Sequence, residues 1–334
     1  MNNQTIVNEK QCRLIAEKLM PLELRQNHFQ RLFLNFPADT ETKLRAWLFA
    51  TAICHQTHIL INKKKNLVGW DFLEYVYSDL GKENSPLLDP HYLARLTAPE
   101  LAEKLKPLFA DDGNHENCTL DRLEERARFI IEISKQLNEK YEGKVENILQ
   151  KSNGFLFNNG NGLYELLEQL PPFADPLRKK STIFIKWIVD GKLMQIKDPQ
   201  NFVPIMDYHM QRVLLRTGCV EVLDAELRES LRKKKPLASD EPIRNAAVEA
   251  IRKISQFSNK DISEIHDFFY PLGRSCCKEK TLCIDKTCDK NPCTFFLFVN
   301  IPEHEKCIFE GVCKGNADET YRNFWQPIVG THYY

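Results

Sequence analysis

Seven of the eleven cysteines, namely Cys276, Cys277, Cys283, Cys288, Cys293, Cys307 and Cys313, fall within 38 positions. Thiolates packed that densely need a cation to offset their charge. A chain with no export signal points to a reducing compartment, where clustered thiols hold metal more often than they form disulfides. The cluster therefore points to an iron–sulfur centre or a zinc site. A second group surrounds Asp207, which follows Pro204 and precedes an apolar-periodic run, the place of a helix N-cap. As a cap alone it contributes about 1 kcal/mol. Tyr208, His209 and Arg212 follow on the first turns. The third group is the pair Lys179-Lys180. A lysine amine becomes a nucleophile once a like charge and burial depress its pKa; otherwise the pair is a solvated helix start. The fourth is His55 with Gln56, an imidazole and an amide between apolar stretches, or an ordinary polar patch.

The elements that must position these groups read as helices. Helical spacing of apolar residues predicts helices over 9–20, 40–61, 71–80, 98–109 and 120–149, the last with Phe129, Ile130, Ile133 and Leu137 on one stripe. Turn chemistry interrupts them at 111–114 and 158–162, and prolines 171, 172 and 176 end one helix and frame the next. Strand-like alternation is hard to find before residue 290, and the region after Gly273 reads as a cysteine-pinned loop with little regular structure.

With 334 residues, 43% of them hydrophobic, the chain is long enough for about two domains. Charges balance at 46 Lys+Arg and 46 Asp+Glu, which excludes a polycationic nucleic-acid coat, though basic runs at 63–65, 176–200 and 232–235 leave a local basic face open. No apolar run is long enough to span a bilayer, and the polar first nine residues lack the pattern of a signal peptide.

The string Asp207-Tyr208-His209 through Arg212-Val213 to Arg216-Thr217 resembles the catalytic-aspartate segment of the helix-hairpin-helix DNA glycosylase superfamily, especially its endonuclease III and archaeal 8-oxoguanine glycosylase branches. Lys179-Lys180-Ser181-Thr182 resembles the segment that carries the family's Schiff-base lysine, although glycines are missing from the hairpin before it. Leu48-Phe49-Ala50 to Gln56-Thr57 is similar to the family's early helix, whose glutamine faces DNA. Gly273-Arg274 before Cys276, Cys276-x6-Cys283 and Cys307-x5-Cys313 resemble the family's iron–sulfur loop. His304 stands where a cysteine is expected, and an insertion carries Cys288 and Cys293.

The resemblance implies an all-α, two-lobed helix-hairpin-helix glycosylase fold with a cysteine-rich C-terminal metal loop. Its parts would be a helical barrel domain at 40–175, a second helical domain at 1–39 plus 176–272 carrying the catalytic aspartate, and an iron–sulfur loop and tail at 273–334. It implies a DNA N-glycosylase that flips out and excises a damaged base, with Asp207 stabilising the sugar cation and Lys180 able to form a Schiff base for abasic-site cleavage. Gln56, His55, Tyr208, His209 and Arg212 would contact substrate, and four of the seven clustered cysteines, Cys307 and Cys313 foremost, would hold a [4Fe–4S] cluster or zinc. Duplex DNA would be the partner of a monomeric, cytoplasmic protein with no membrane attachment. The segment Met206-Asp207-Tyr208 with Val213-Leu214 and Gly218 also resembles the queuosine-nucleotide N-glycosidases, which act on a free nucleotide. A third reading is a non-catalytic, metal-stabilised nucleic-acid-binding module.

Overall fold

The computed structural model describes residues 4–25, 27–286, 293, 295, 298–299 and 306–334. The chain forms two compact units, one of Met1–His28 with Val203–Gly330, the other of Phe29–Phe202 with Thr331–Tyr334. Both are built mainly of helices. No helix among the described residues is long and apolar enough to cross a membrane.

The first unit begins with strand β1 (Thr5–Val7) and helix α1 (Glu9–Leu19). Asn8 caps α1 by accepting from Gln11 N at 2.9 Å, and Cys12, Ile15, Ala16 and Leu19 give the helix its buried face.

The second unit starts its core with α2 (Thr40–Ala52), capped by Asp39 through Thr42 N at 3.0 Å. Every residue from Ala46 to Ala52 is buried, as its apolar composition demands. The helix stops at Ala52, nine residues short of the end expected from hydropathy, and the chain turns through His55 and Gln56 into a two-residue hairpin of β2 (Ile61–Asn62) and β3 (Leu67–Val68). Helix α3 (Trp70–Lys82) follows, then α4 (Leu123–Tyr141). The helix expected over 120–149 is broken at Glu142 and Gly143, both left-handed with φ of 54° and 72°, and resumes at Glu146–Ser152. Glycine adopts that conformation freely, so Gly143 supplies the break. Helix α5 (Lys179–Asp190) packs on α2. Trp47, Trp70 and Trp187 gather around Phe33, with Phe33 and Trp187 edge-on at 5.1 Å and the Trp47 indole donating to Phe33 O at 2.8 Å.

The first unit resumes with α6 (Tyr208–Thr217), β4 (Val220–Val222), α7 (Glu241–Ser258) and α8 (Ile262–Ser275). β4 pairs antiparallel with β1, Ile6 opposite Glu221. These strands and the 61–68 hairpin lie before residue 290, where none was expected, because two or three residues are too few for alternation to register. α1 lies along α7, and α6 packs on α8, where a Cβ at Gly273 would come within 2.9 Å of His209 O. That glycine lets the two helices approach.

Candidate active site

In the second unit the end of α2 organises a buried cationic centre. The last carbonyls of a helix have no intrahelical donor and carry the negative end of its dipole, so they attract cations. Here they recruit two from distant segments. Lys180, in the first turn of α5 and fully buried, donates from Nζ to Ala52 O at 2.5 Å and lies 3.3 Å from His55 Nδ1. Arg126, also fully buried, donates to Ile53 O, and is held in turn by Asp121 O at 2.7 Å and Asp121 Oδ1 at 2.6 Å. Those contacts end the helix and swing His55 and Gln56 out of it. Gln56 sits in the left-handed region at φ 47°, a conformation uncommon for a residue with a Cβ. Its side-chain oxygen accepts from Arg122 Nη1 at 3.2 Å.

Charge at this centre is controlled by burial. Burial pulls the Lys180 ammonium down to about 7; the Cys54 sulfur opposes the shift, and Lys179 and Arg126 add to it. Burial, then the Lys180 charge, pushes the His55 imidazole far down, so it stays neutral. A neutral His55 with Nδ1 facing an amine carries its proton on Nε2, which lies 3.1 Å from Glu125 Oε1. Lys179 places its own amine 3.3 Å from Cys54 Sγ. The Phe129 ring lies 5.5 Å from Lys180 Nζ and edge-on to His55 at 5.9 Å. The structure thus brings together Lys180 and His55, with Gln56 in the same turn.

In the first unit Asp207 is the N-cap of α6, as its spacing predicts. Oδ1 accepts from Met210 N at 2.9 Å, while Oδ2 takes no hydrogen bond from the described residues, and the side chain is only 5% exposed. Arg212, nearly fully buried, donates to Cys277 O at 2.8 Å, to Gly273 O at 2.6 Å, and to Gln326, with His209 Nδ1 at 3.3 Å. Burial brings its guanidinium down to about 10, which leaves it charged at neutral pH. It also lies over Trp325 at 4.7 Å. The Tyr208 and His209 rings lie 4.2 Å apart, tilted by 43°, and His209 meets Tyr270 edge-on at 5.7 Å. Arg212 therefore ties α6 to the cysteine segment, with Nε, Nη1 and Nη2 each donating to a protein acceptor, rather than standing open to substrate.

The expected metal site is not found among the described residues. Among the described residues no group of three or more His, Cys, Asp and Glu side chains is arranged to hold an ion; Cys288 and His304 lie outside those residues. Among the described residues, Cys276, Cys277, Cys283, Cys293, Cys307 and Cys313 form no disulfide with one another. Sulfurs turn toward protein partners instead, Cys277 Sγ to Arg216 Nη1 and Cys313 Sγ to Arg216 O, each at 3.5 Å. Burial pushes the Cys313 thiol up to about 12 and Cys307 up as well. The basic runs are partly neutralised: Lys186 pairs with Asp190, Lys233 with Glu229 at 2.8 Å, and Lys234 with Glu279.

Sequence reasoning missed Arg122, Arg126, Glu125 and Phe129, all from one helix region, and the segment Thr331–Tyr334. Phe129 stood in the apolar stripe and carried no separate signal. The Thr331–Tyr334 segment announced itself only by three consecutive ring-bearing side chains.

The family of queuosine salvage proteins matches residues 54–287, and the chain belongs to it. No individual curated protein is matched. The match overturns the assignment to the helix-hairpin-helix DNA glycosylases, and with it the reading as a base-excision repair enzyme. The resemblance around Asp207 that pointed to queuosine-nucleotide N-glycosidases is the one the family match favours.

Proposed function

We propose that the chain is an N-glycosidase that hydrolyses the bond between ribose and the deazaguanine base of a free queuosine nucleotide. The family match carries this reading, because its span of 54–287 includes His55, Gln56, Lys180 and Asp207 together. Asp207 has the form the chemistry asks of a catalytic carboxylate. One oxygen is pinned by the helix it caps and the other is unengaged by the described residues. As the C–N bond breaks, its electron pair leaves with the base and the sugar approaches an oxocarbenium ion. A fixed carboxylate facing that charge lowers the barrier without reorganising, a contribution on the order of 10²–10³ in rate. Water then bonds to C1′, and the proton it loses ends on the departed base. Lys180, an amine that titrates near neutrality, is assigned to holding the nucleotide; no imine with the sugar is required.

The test is incubation with queuosine 5′-monophosphate followed by chromatography. Free base and ribose 5-phosphate are the expected products, with duplex DNA carrying an oxidised base left intact. An untouched nucleotide overturns the reading.

A further inference from the structure

The second unit contains a segment that its chain position does not explain. The chain leaves this unit at Phe202 and returns to it only with Thr331–Tyr334. Ordering four residues costs about 1–2 kcal/mol each in backbone freedom, so the return must be held by specific contacts. It is held at both ends. Arg122 Nη1 donates to Thr331 O at 3.0 Å, and Gln56 N donates to Tyr334 O at 3.2 Å. Tyr334 is 2% exposed and is the anchor. The middle is treated differently. His332 stays half-buried, 5.2 Å from the Phe129 ring, which itself faces both His55 and Lys180 Nζ. A segment recruited for packing alone would bury its largest groups throughout. This one buries its last ring and leaves an imidazole open on the aromatic that lines the lysine centre.

We propose that Thr331–Tyr334 is a strap forming one wall of the Lys180 centre, and that His332 is a specificity-determining contact for the planar base of the nucleotide. The proposal rests on the reading of this centre as nucleotide-binding and adds the residue that reads the base. Burial, then Lys180, lowers the imidazole, with Arg122 acting the same way and Glu125 and Asp175 opposing. Neutral imidazole offers one N–H donor, one ring-nitrogen acceptor and a flat face. Phe129 and His332 supply the stacking surface and the imidazole nitrogens the edge recognition that a heteroaromatic base needs. The family match ends at residue 287, so the strap lies outside it.

The experiment compares the intact chain with His332→Ala, His332→Asn and a chain ended after Gly330. Two readouts are taken: kcat and KM on queuosine 5′-monophosphate, and the rate of reductive methylation of Lys180 mapped by peptide mass. His332→Ala should raise KM about tenfold with kcat within about twofold, the size of one lost contact. His332→Asn, which keeps a donor and an acceptor, should recover most of that loss. The shortened chain should show at least the same KM and should methylate Lys180 several times faster, because a fully buried amine has lost its cover. An unchanged KM in His332→Ala overturns the contact role, and unchanged methylation in the folded shortened chain overturns the wall. If the shortened chain fails to fold, His332→Ala decides, since it keeps the backbone hydrogen bonds at both ends of the strap. If the intact protein cleaves no queuosine nucleotide, the functional reading fails, and the methylation rates still decide whether the strap covers Lys180.

Discussion

Asp207 and Lys180 are both charged, both buried and both in the first turn or cap of a helix, yet the chain supports them in opposite ways. Asp207 is held locally: its carboxylate reaches Met210 N, three residues along. Lys180 is held from far away, by a carbonyl 128 positions earlier in the sequence. The local arrangement is a regular cap and leaves one oxygen without a hydrogen bond from the described residues. The non-local one uses the open end of another helix, a neutral histidine and a left-handed glutamine, and burial there pulls the amine down to about 7. Where charge has to act on a transition state, a cap that keeps its geometry suffices. Where charge has to be switchable near neutral pH, the chain must desolvate it, and that takes several segments.

The largest expected effect tests the local half of this comparison. Asp207→Asn keeps a side-chain oxygen for Met210 N, because asparagine caps as well as aspartate. The helix should therefore hold its stability within about 0.5 kcal/mol, while turnover on queuosine 5′-monophosphate falls on the order of 10²-fold or more, as expected for loss of a preorganised charge. Thermal melts and steady-state rates on one preparation check both. Near-normal turnover would reduce Asp207 to a helix cap and leave the two regions without a functional contrast.

The second effect tests the non-local half through pH. Lys180 in the folded chain titrates near 7, below the 10.5 of an unperturbed amine. Between those values the unfolded chain binds the extra proton, so this group makes folding more favourable as pH rises through that window and adds nothing to the slope outside it. Its contribution rises by up to about 1.4 kcal/mol per pH unit. Lys180→Met should remove that slope, so the difference in unfolding free energy between the two proteins should change steadily from pH 7 to 10. Parallel stability curves over that range would mean the amine is not desolvated.

The same contrast explains what was legible in the sequence. Asp207 as a cap, α1, α3 and the general helical character follow from spacing within one turn of the chain, and the structure has them. The end of α2 does not follow, because hydropathy continues past Ala52; what stops the helix is Arg126 and Lys180 arriving at its last carbonyls. The cysteine spacing suggested ligands, but spacing cannot show that Cys277 and Cys313 turn toward Arg216. The family resemblance was misread for a related reason. Asp207 and the lysine pair satisfy short motifs of the DNA glycosylases, whereas the match that decides the family extends over 54–287.

The smallest expected effect is at Gln56, and its small size is informative. The left-handed backbone at φ 47° costs a residue with a Cβ roughly 1 kcal/mol, which glycine would not incur. Against that, Gln56→Gly loses the hydrogen bond from Arg122 Nη1, about 0.5–1.5 kcal/mol, and gives the unfolded chain more freedom, about 0.5–1 kcal/mol. The losses exceed the gain by about 0–1.5 kcal/mol, so the melting temperature should fall by a few degrees at most. The backbone N–H to Tyr334 O is kept, so the strap stays anchored. If glutamine stands there only to hold Arg122, KM for the nucleotide should follow stability and barely move. If its amide serves the substrate, KM should rise several-fold while kcat stays near normal, since binding shared by ground and transition states is what a remote contact supplies. A large loss of stability would instead show that the turn depends on the glutamine side chain, and the burden of shaping the lysine centre would shift from Lys180 and Arg126 to Arg122.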